Sequence, residues 1–149
     1  MTHSITVPVA PERAFACFTE GMGSWWPPEY TWAQQTLEEI AIEPHEGGRC
    51  FERGRHGFSC DWGRVVACEP PGRLLFTWQI SPQRVPQPDP DRASLVEVRF
   101  RAAAGAATVV ELEHRDFDRH GEGAAGYRAA MDSPQGWPLI LERFAAAAR

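Results

Sequence analysis

An α+β fold, with one C-terminal helix laid across an antiparallel sheet, is what this sequence predicts, on three observations. Near the chain's end Trp137, Ile140, Leu141, Phe144 and Ala148 recur at intervals of three and four, which sets them on one face of a helix. Upstream, apolar and polar residues alternate with a period of two over several short segments, as in strands with one buried side. The links between those segments are short and rich in glycine and proline, so neighbouring strands run antiparallel and a parallel α/β sheet is excluded.

Taken in order, Ile5, Val7 and Val9 alternate with Ser4, Thr6 and Pro8, a first strand. Pro11 opens a helix to about Thr19, with Ala14, Phe15 and Phe18 on one side, because proline tolerates the first turn. Gly21, Gly23, Pro27 and Pro28 confine Ser24-Trp25-Trp26 to a second short helix or a bent loop, which reads as a plug on one end of the core. Leu37 to Glu43 predicts a strand ending at Pro44, Gly47-Gly48 a turn, and Arg49 to Arg53 a returning strand. After a turn at Gly54 to Gly57, Phe58 to Cys68 reads as a long strand with Cys60, Trp62, Arg64 and Val66 on one face and Asp61, Gly63, Val65 and Ala67 on the other.

Two prolines in Glu69-Pro-Pro-Gly-Arg73 remove two donors, so this segment is a hairpin turn leading into the apolar strand Leu74 to Ile80. Ser81 to Asp91 carries too many prolines for a sheet and predicts a loop over a cavity mouth. In Leu95 to Arg101, Val96, Val98 and Phe100 oppose Glu97, Arg99 and Arg101; in Thr108 to His114, Val110, Leu112 and His114 oppose two glutamates. Gly121 to Met131 predicts a short helical run. Ser133-Pro134 then reads as the start of the final helix, of about four turns, with Pro138 as a blemish at which the helix restarts or bends near Trp137.

With 149 residues, 43% hydrophobic, the chain suits a single domain over 1–149. No run is long enough to span a membrane and no secretory layout opens the chain, so the expected compartment is the cytoplasm. All fifteen basic residues are arginine and the net charge is −5, which argues against nucleic acid and removes lysine chemistry. Cys17, Cys50, Cys60 and Cys68 show no metal-binding spacing, so neither a metal nor another cofactor is expected. No Gly-x-Ser-x-Gly, His-Glu-x-x-His or phosphate loop occurs, and no catalytic set is assigned.

Several motifs carry a family resemblance: Ile5-Thr-Val-Pro-Val with Pro11-Glu-Arg-Ala-Phe15, Trp25-Trp-Pro27, Glu43-Pro with Gly47-Gly-Arg49, and Gly63-Arg-Val65. Pro70-Pro-x-Arg-Leu-x-Phe-Thr-Trp78, His114, and Gly136-Trp-Pro-Leu-x-Leu-Glu-Arg-Phe144 complete the set. In this order they resemble the START/Bet v 1-type (SRPBCC) superfamily, and within it proteins similar to the C-terminal domain of the Hsp90 ATPase activator. The resemblance implies a helix-grip fold: a curved antiparallel sheet of about seven strands wrapped around the C-terminal helix, with two short helices after the first strand. It also implies a pocket between sheet and helix for lipids, polyketides or other apolar molecules. It supplies no shared catalytic residues.

The candidate pocket residues are Trp26, Glu52, Trp62, Phe76, Trp78, Phe100, Leu112, His114, Met131, Trp137 and Leu141. The tryptophans dominate because a large ring with one N–H suits cavity walls, although a solid aromatic core is the competing reading. His114 reads either as a hydrogen-bonded core histidine or as an anchor or base, and Glu52 either as a solvated strand position or as a pocket carboxylate. The expected function is binding of a small apolar or aromatic ligand without transforming it. A second reading is a polyketide cyclase-like or hydrolase-like enzyme using His114 and Glu52, and a third is protein interaction, including a homodimer. Hsp90 is not the expected partner, because the chain opens directly on the first strand.

Overall fold

The computed structural model describes residues 1–149. Seven strands, β1 (Thr2–Val7), β2 (Leu37–Ile42), β3 (Arg49–Gly54), β4 (Ser59–Glu69), β5 (Arg73–Trp78), β6 (Ser94–Ala103) and β7 (Ala107–Arg115), form one sheet in the order β1-β7-β6-β5-β4-β3-β2. Every pairing is antiparallel. The chain lays down one edge, crosses to the other through α1 (Pro11–Phe18) and a short 3-10 turn (Glu20–Ser24), and meanders back to meet β1. Two more helices follow, α2 (Ala124–Asp132) and α3 (Trp137–Ala147). This is the helix-grip arrangement, and no helix is long and apolar enough to cross a membrane.

Three extra residues bend the sheet. Pairing jumps from Cys50↔Gly63 to Phe51↔Asp61, from Val65↔Phe76 to Ala67↔Leu75, and from Leu37↔Gly54 to Glu39↔Arg53, leaving Trp62, Val66 and Glu38 each without an opposite number. Such bulges raise twist and re-aim side chains. They correct the strict alternation expected of β4: Trp62 and Val65, placed on opposite faces by the sequence pattern, are both buried, while Arg64 and Val66 are exposed.

Inside the curve, Val96, Val98 and Phe100 of β6 and Val110 and Leu112 of β7 are buried against Phe15 and Phe18 of α1 and Trp137, Ile140, Leu141 and Phe144 of α3. The rings meet edge to face, with centroids 5.3 Å apart for Phe15–Phe100 and 5.4 Å for Phe18–Phe144. Burial of each large apolar side chain contributes about 1.5–3 kcal/mol, so α3 is held by packing rather than by helix propensity.

The start of the final helix differs from the expectation. Ser133 closes α2, its hydroxyl donating to the Ala130 carbonyl at 2.6 Å, and α3 begins only at Trp137, with three turns rather than four. Of the two outcomes expected near Trp137 the structure takes the restart: Pro138 sits in the first turn, where its missing N–H leaves no gap. Gly136 forms the corner because a Cβ there would run into the Met131 and Ala130 carbonyls.

Candidate functional site

Where the α2–α3 corner faces the end of β5, the interior does not close, and a cleft of about 550 Å³ remains. Trp78 and Ile80 continue the line of β5 into its wall, Trp26 enters from the loop after α1, and Met131 and Ile140 come from the two C-terminal helices. The rim is polar: Tyr30, Thr31 and Trp32 on one side, Gln135 on another, and Arg84 from the proline-rich loop.

Hydrogen bonds tie the rim together. Tyr30 Oη donates to the Gln135 carbonyl at 2.8 Å, and Trp32 Nε1 donates to the Arg84 carbonyl at 3.0 Å. The Glu29 carboxylate meets Arg143 at 3.1 Å. Behind the rim, Glu52 of β3 is 1% exposed. Its carboxylate accepts from the backbone N–H of Trp32 at 3.2 Å and of Ala33 at 3.0 Å, with no cation within ion-pair distance. Glu52 holds the rim loop rather than lining the cleft. Glu52→Gln is expected to lower stability by about 1–3 kcal/mol, because an amide offers only one oxygen to two donors. Thermal unfolding checks the loss, and an unchanged midpoint would show that the loop does not depend on this carboxylate.

His114 of β7 sits deeper, with none of its surface exposed. Its Nδ1 accepts from Trp137 Nε1 at 2.9 Å, and its Nε2 lies 2.7 Å from Ser94 Oγ. An indole N–H can only donate, so the His114 proton is on Nε2 and is given to Ser94. The Ser94 hydroxyl then donates onward to His120 Nε2 at 2.8 Å, where the Ser94 N–H also points at 3.3 Å. This leaves the His120 proton on Nδ1, buried and without a partner. Burial, reinforced by His120 and the N-terminal ammonium, pushes the His114 pKa well below the ordinary histidine range, and burial lowers that of His120 too. Both imidazoles are thus neutral at pH 7, and both ring nitrogens of His114 are engaged within the fold.

Five tryptophans form a continuous cluster beneath the cleft. Trp26 stacks on Trp62 with centroids 6.0 Å apart, Trp62 meets Trp78 at 5.8 Å, Trp78 meets Trp137 at 5.4 Å, and Trp25 lies 5.7 Å from Trp26. Of the sequence-derived pocket candidates, Trp26, Trp78 and Met131 line the cleft. Trp62, Phe76 and Trp137 pack behind it, Phe100, Leu112 and Leu141 lie within the core, and Glu52 and His114 do not reach the wall. The wall residues the sequence reading passed over include Ile80, Arg84, Tyr127 and Ile140; of these, Ile80 and Ile140 carried a periodic signal and Arg84 lay in a loop expected at a cavity mouth.

No group of three His, Cys, Asp or Glu side chains is close enough to hold a metal. The four cysteines are unpaired, and burial keeps them as thiols, pushing Cys60 up to about 11.

A curled seven-stranded sheet gripping a C-terminal helix, with an aromatic cleft left between them, defines a START-like protein of the SRPBCC type. The family model described as activator of Hsp90 ATPase homolog 1-like protein matches residues 8–149, and the chain belongs to that family. Among solved structures, the anthrahydroquino-gamma-pyrone synthase Txn09 is similar at 37% identity over 98% of this chain and 94% of that one, with a TM-score of 0.68. The self-sacrificing resistance protein CalC from Micromonospora echinospora is 29% identical over 99% of this chain and 92% of its own, with a TM-score of 0.67. The Aha1 dimer from Colwellia psychrerythraea shares the fold at 15% identity, covering 99% of this chain and 94% of that one, with a TM-score of 0.65. No curated protein matches the chain.

Proposed function

We propose that this protein binds a planar, polycyclic aromatic molecule of the polyketide type, held between the end of β5 and the α2–α3 corner. The observation that carries this reading is the wall itself: Trp26, Trp78 and Tyr127 present aromatic surface to a cleft sized for a small organic molecule. Apolar faces with a polar rim favour a flat ring system whose substituents point outward. The similarity to a synthase named for an anthrahydroquinone product supports the same ligand class.

That name also favours a second reading, in which the bound molecule undergoes ring closure. His114 and Glu52 are not its natural acid and base, since neither lines the cleft. Binding is nevertheless the shared first step and can be measured alone.

For a ring system of about 24 heavy atoms, roughly 0.3 kcal/mol per atom corresponds to a Kd on the order of 10 μM. Titration with a panel of tetracyclic quinones is expected to quench tryptophan emission in that range, and native mass spectrometry is expected to show a one-to-one complex. Absence of both signals across the panel would overturn the reading. Turnover of a bound compound, followed by chromatography, would favour the enzymatic version.

A further inference from the structure

Tyr127 stands on α2 with 3% of its surface exposed, yet its ring forms part of the cleft wall. Its hydroxyl oxygen accepts from Trp78 Nε1 at 2.7 Å. The direction of that bond is fixed, because an indole has nothing with which to accept. The phenol's own proton is therefore left over, and no acceptor in the chain stands within hydrogen-bonding distance of it. Burial raises the Tyr127 pKa to about 12, so the proton stays in place at any physiological pH.

Arg84 supplies a second uncommitted donor beside it. Its guanidinium carbon lies 4.3 Å from the centre of the Tyr127 ring. Its single hydrogen bond is to the Pro82 carbonyl at 2.6 Å, and no carboxylate lies within ion-pair distance of it. The side chain is presented by a fixed backbone: Arg84 N–H donates to the Ser81 carbonyl at 2.8 Å, and its own carbonyl accepts from Trp32 at 3.0 Å. Glu29, the other charged residue at the cleft, is already paired with Arg143. The cleft thus offers spare donors on one wall and apolar surface on most of the rest.

We propose that Tyr127 and Arg84 form a receptor for one oxygen of the ligand, a quinone or conjugated ketone carbonyl or a phenolate, on the edge of its ring system. This rests on the reading of the cleft as an aromatic-ligand site and narrows it to oxygenated ring systems. Trp78 acts as the positioning group: its N–H occupies the tyrosine lone pair and leaves the O–H free to turn to the ligand. The flat face of the ligand rests on Trp26 and Trp78 while its oxygen accepts a hydrogen bond from the tyrosine O–H. Arg84 adds positive charge where electron density gathers on that oxygen.

The test compares 9,10-anthraquinone with anthracene, which has the same shape without the oxygens, by tryptophan quenching. The wild-type protein is expected to bind the quinone about tenfold more tightly, the worth of one buried hydrogen bond. Tyr127→Phe is expected to cut that preference to roughly threefold by weakening quinone binding alone, Arg84→Met to cut it by a similar factor, and Arg84→Lys to restore part of it. Infrared spectra of the bound quinone should show its carbonyl stretch moved to lower wavenumber in the wild type; this readout, with Arg84→Met, serves if Tyr127→Phe fails to fold. Equal affinity for the two compounds, an unshifted carbonyl, or a preference that survives Tyr127→Phe undiminished would overturn the receptor while leaving the aromatic site standing. Failure of both compounds to bind the wild type would remove the aromatic site, and the receptor with it.

Discussion

Trp137→Ala is expected to remove about half of the protein's stability or more. The indole is fully buried at the first turn of α3, in contact with Trp26, Trp78 and His114. Removing so large a ring costs about 3–5 kcal/mol, and leaving His114 Nδ1 without its donor adds about 1–3 kcal/mol. Against a total stability of about 5–15 kcal/mol, the sum is about half or more. Trp137→Phe weights the second contribution, because it keeps most of the ring's volume while losing the N–H. It is expected to fold with a midpoint roughly 5 °C lower. Denaturant and thermal unfolding of both variants measure this, and a phenylalanine variant as stable as the wild type would show that the bond to His114 is dispensable.

Acid is expected to weaken the fold between pH 7 and pH 5, through the same residues. In the folded chain burial holds the pKa of His114 well below 6.5 and that of His120 below it, whereas an unfolded chain titrates both near 6.5. As pH falls through 6.5 the unfolded state takes up protons first. Stability is therefore full above that point and declines toward the folded values, by at most about 1.4 kcal/mol per pH unit for each histidine. The geometry explains why the folded state resists: a proton on His114 Nδ1 would face the Trp137 N–H, and one on His120 Nε2 would face the Ser94 hydroxyl and N–H. Thermal midpoints recorded from pH 8 to pH 5, with nuclear magnetic resonance of the imidazole C–H signals, would show the decline and two histidines that take up protons below the ordinary histidine range. A flat stability profile over that range would contradict the arrangement.

Legibility in the sequence followed the regularity of the strands. In β6 and β7 the pairing runs without a shift, so the alternation of Val96, Val98, Phe100, Val110, Leu112 and His114 translated directly into an inward face. In β4 it did not, because which residue is left over depends on the partner strand's register, which the chain does not write locally. The start of α3 stays open between Ser133 and a restart near Trp137 in the sequence, because Ser133-Pro134 and Trp137-Pro138 both satisfy the rules for a first turn. The choice between them is made by the tight corner at Gly136, a tertiary fact. Glu52 was open to a pocket role because its partners are backbone amides of Trp32 and Ala33, which no pattern of side chains reveals. The wall of the cleft was the least legible part. Tyr127 comes from a helix whose facing is set by its neighbours, and Arg84 from a segment with no period at all.

The two supernumerary residues of β4 make single-codon deletions unequal along this chain. Loss of Val66, whose side chain is 45% exposed, would restore an even count against β5 and could be absorbed by straightening. Loss of Trp62 would likewise restore an even count against β3, but it would take away the indole on which Trp26 is stacked. Homologues that lack a residue at this point should therefore have rebuilt the floor beneath the cleft, and with it whatever molecule they select.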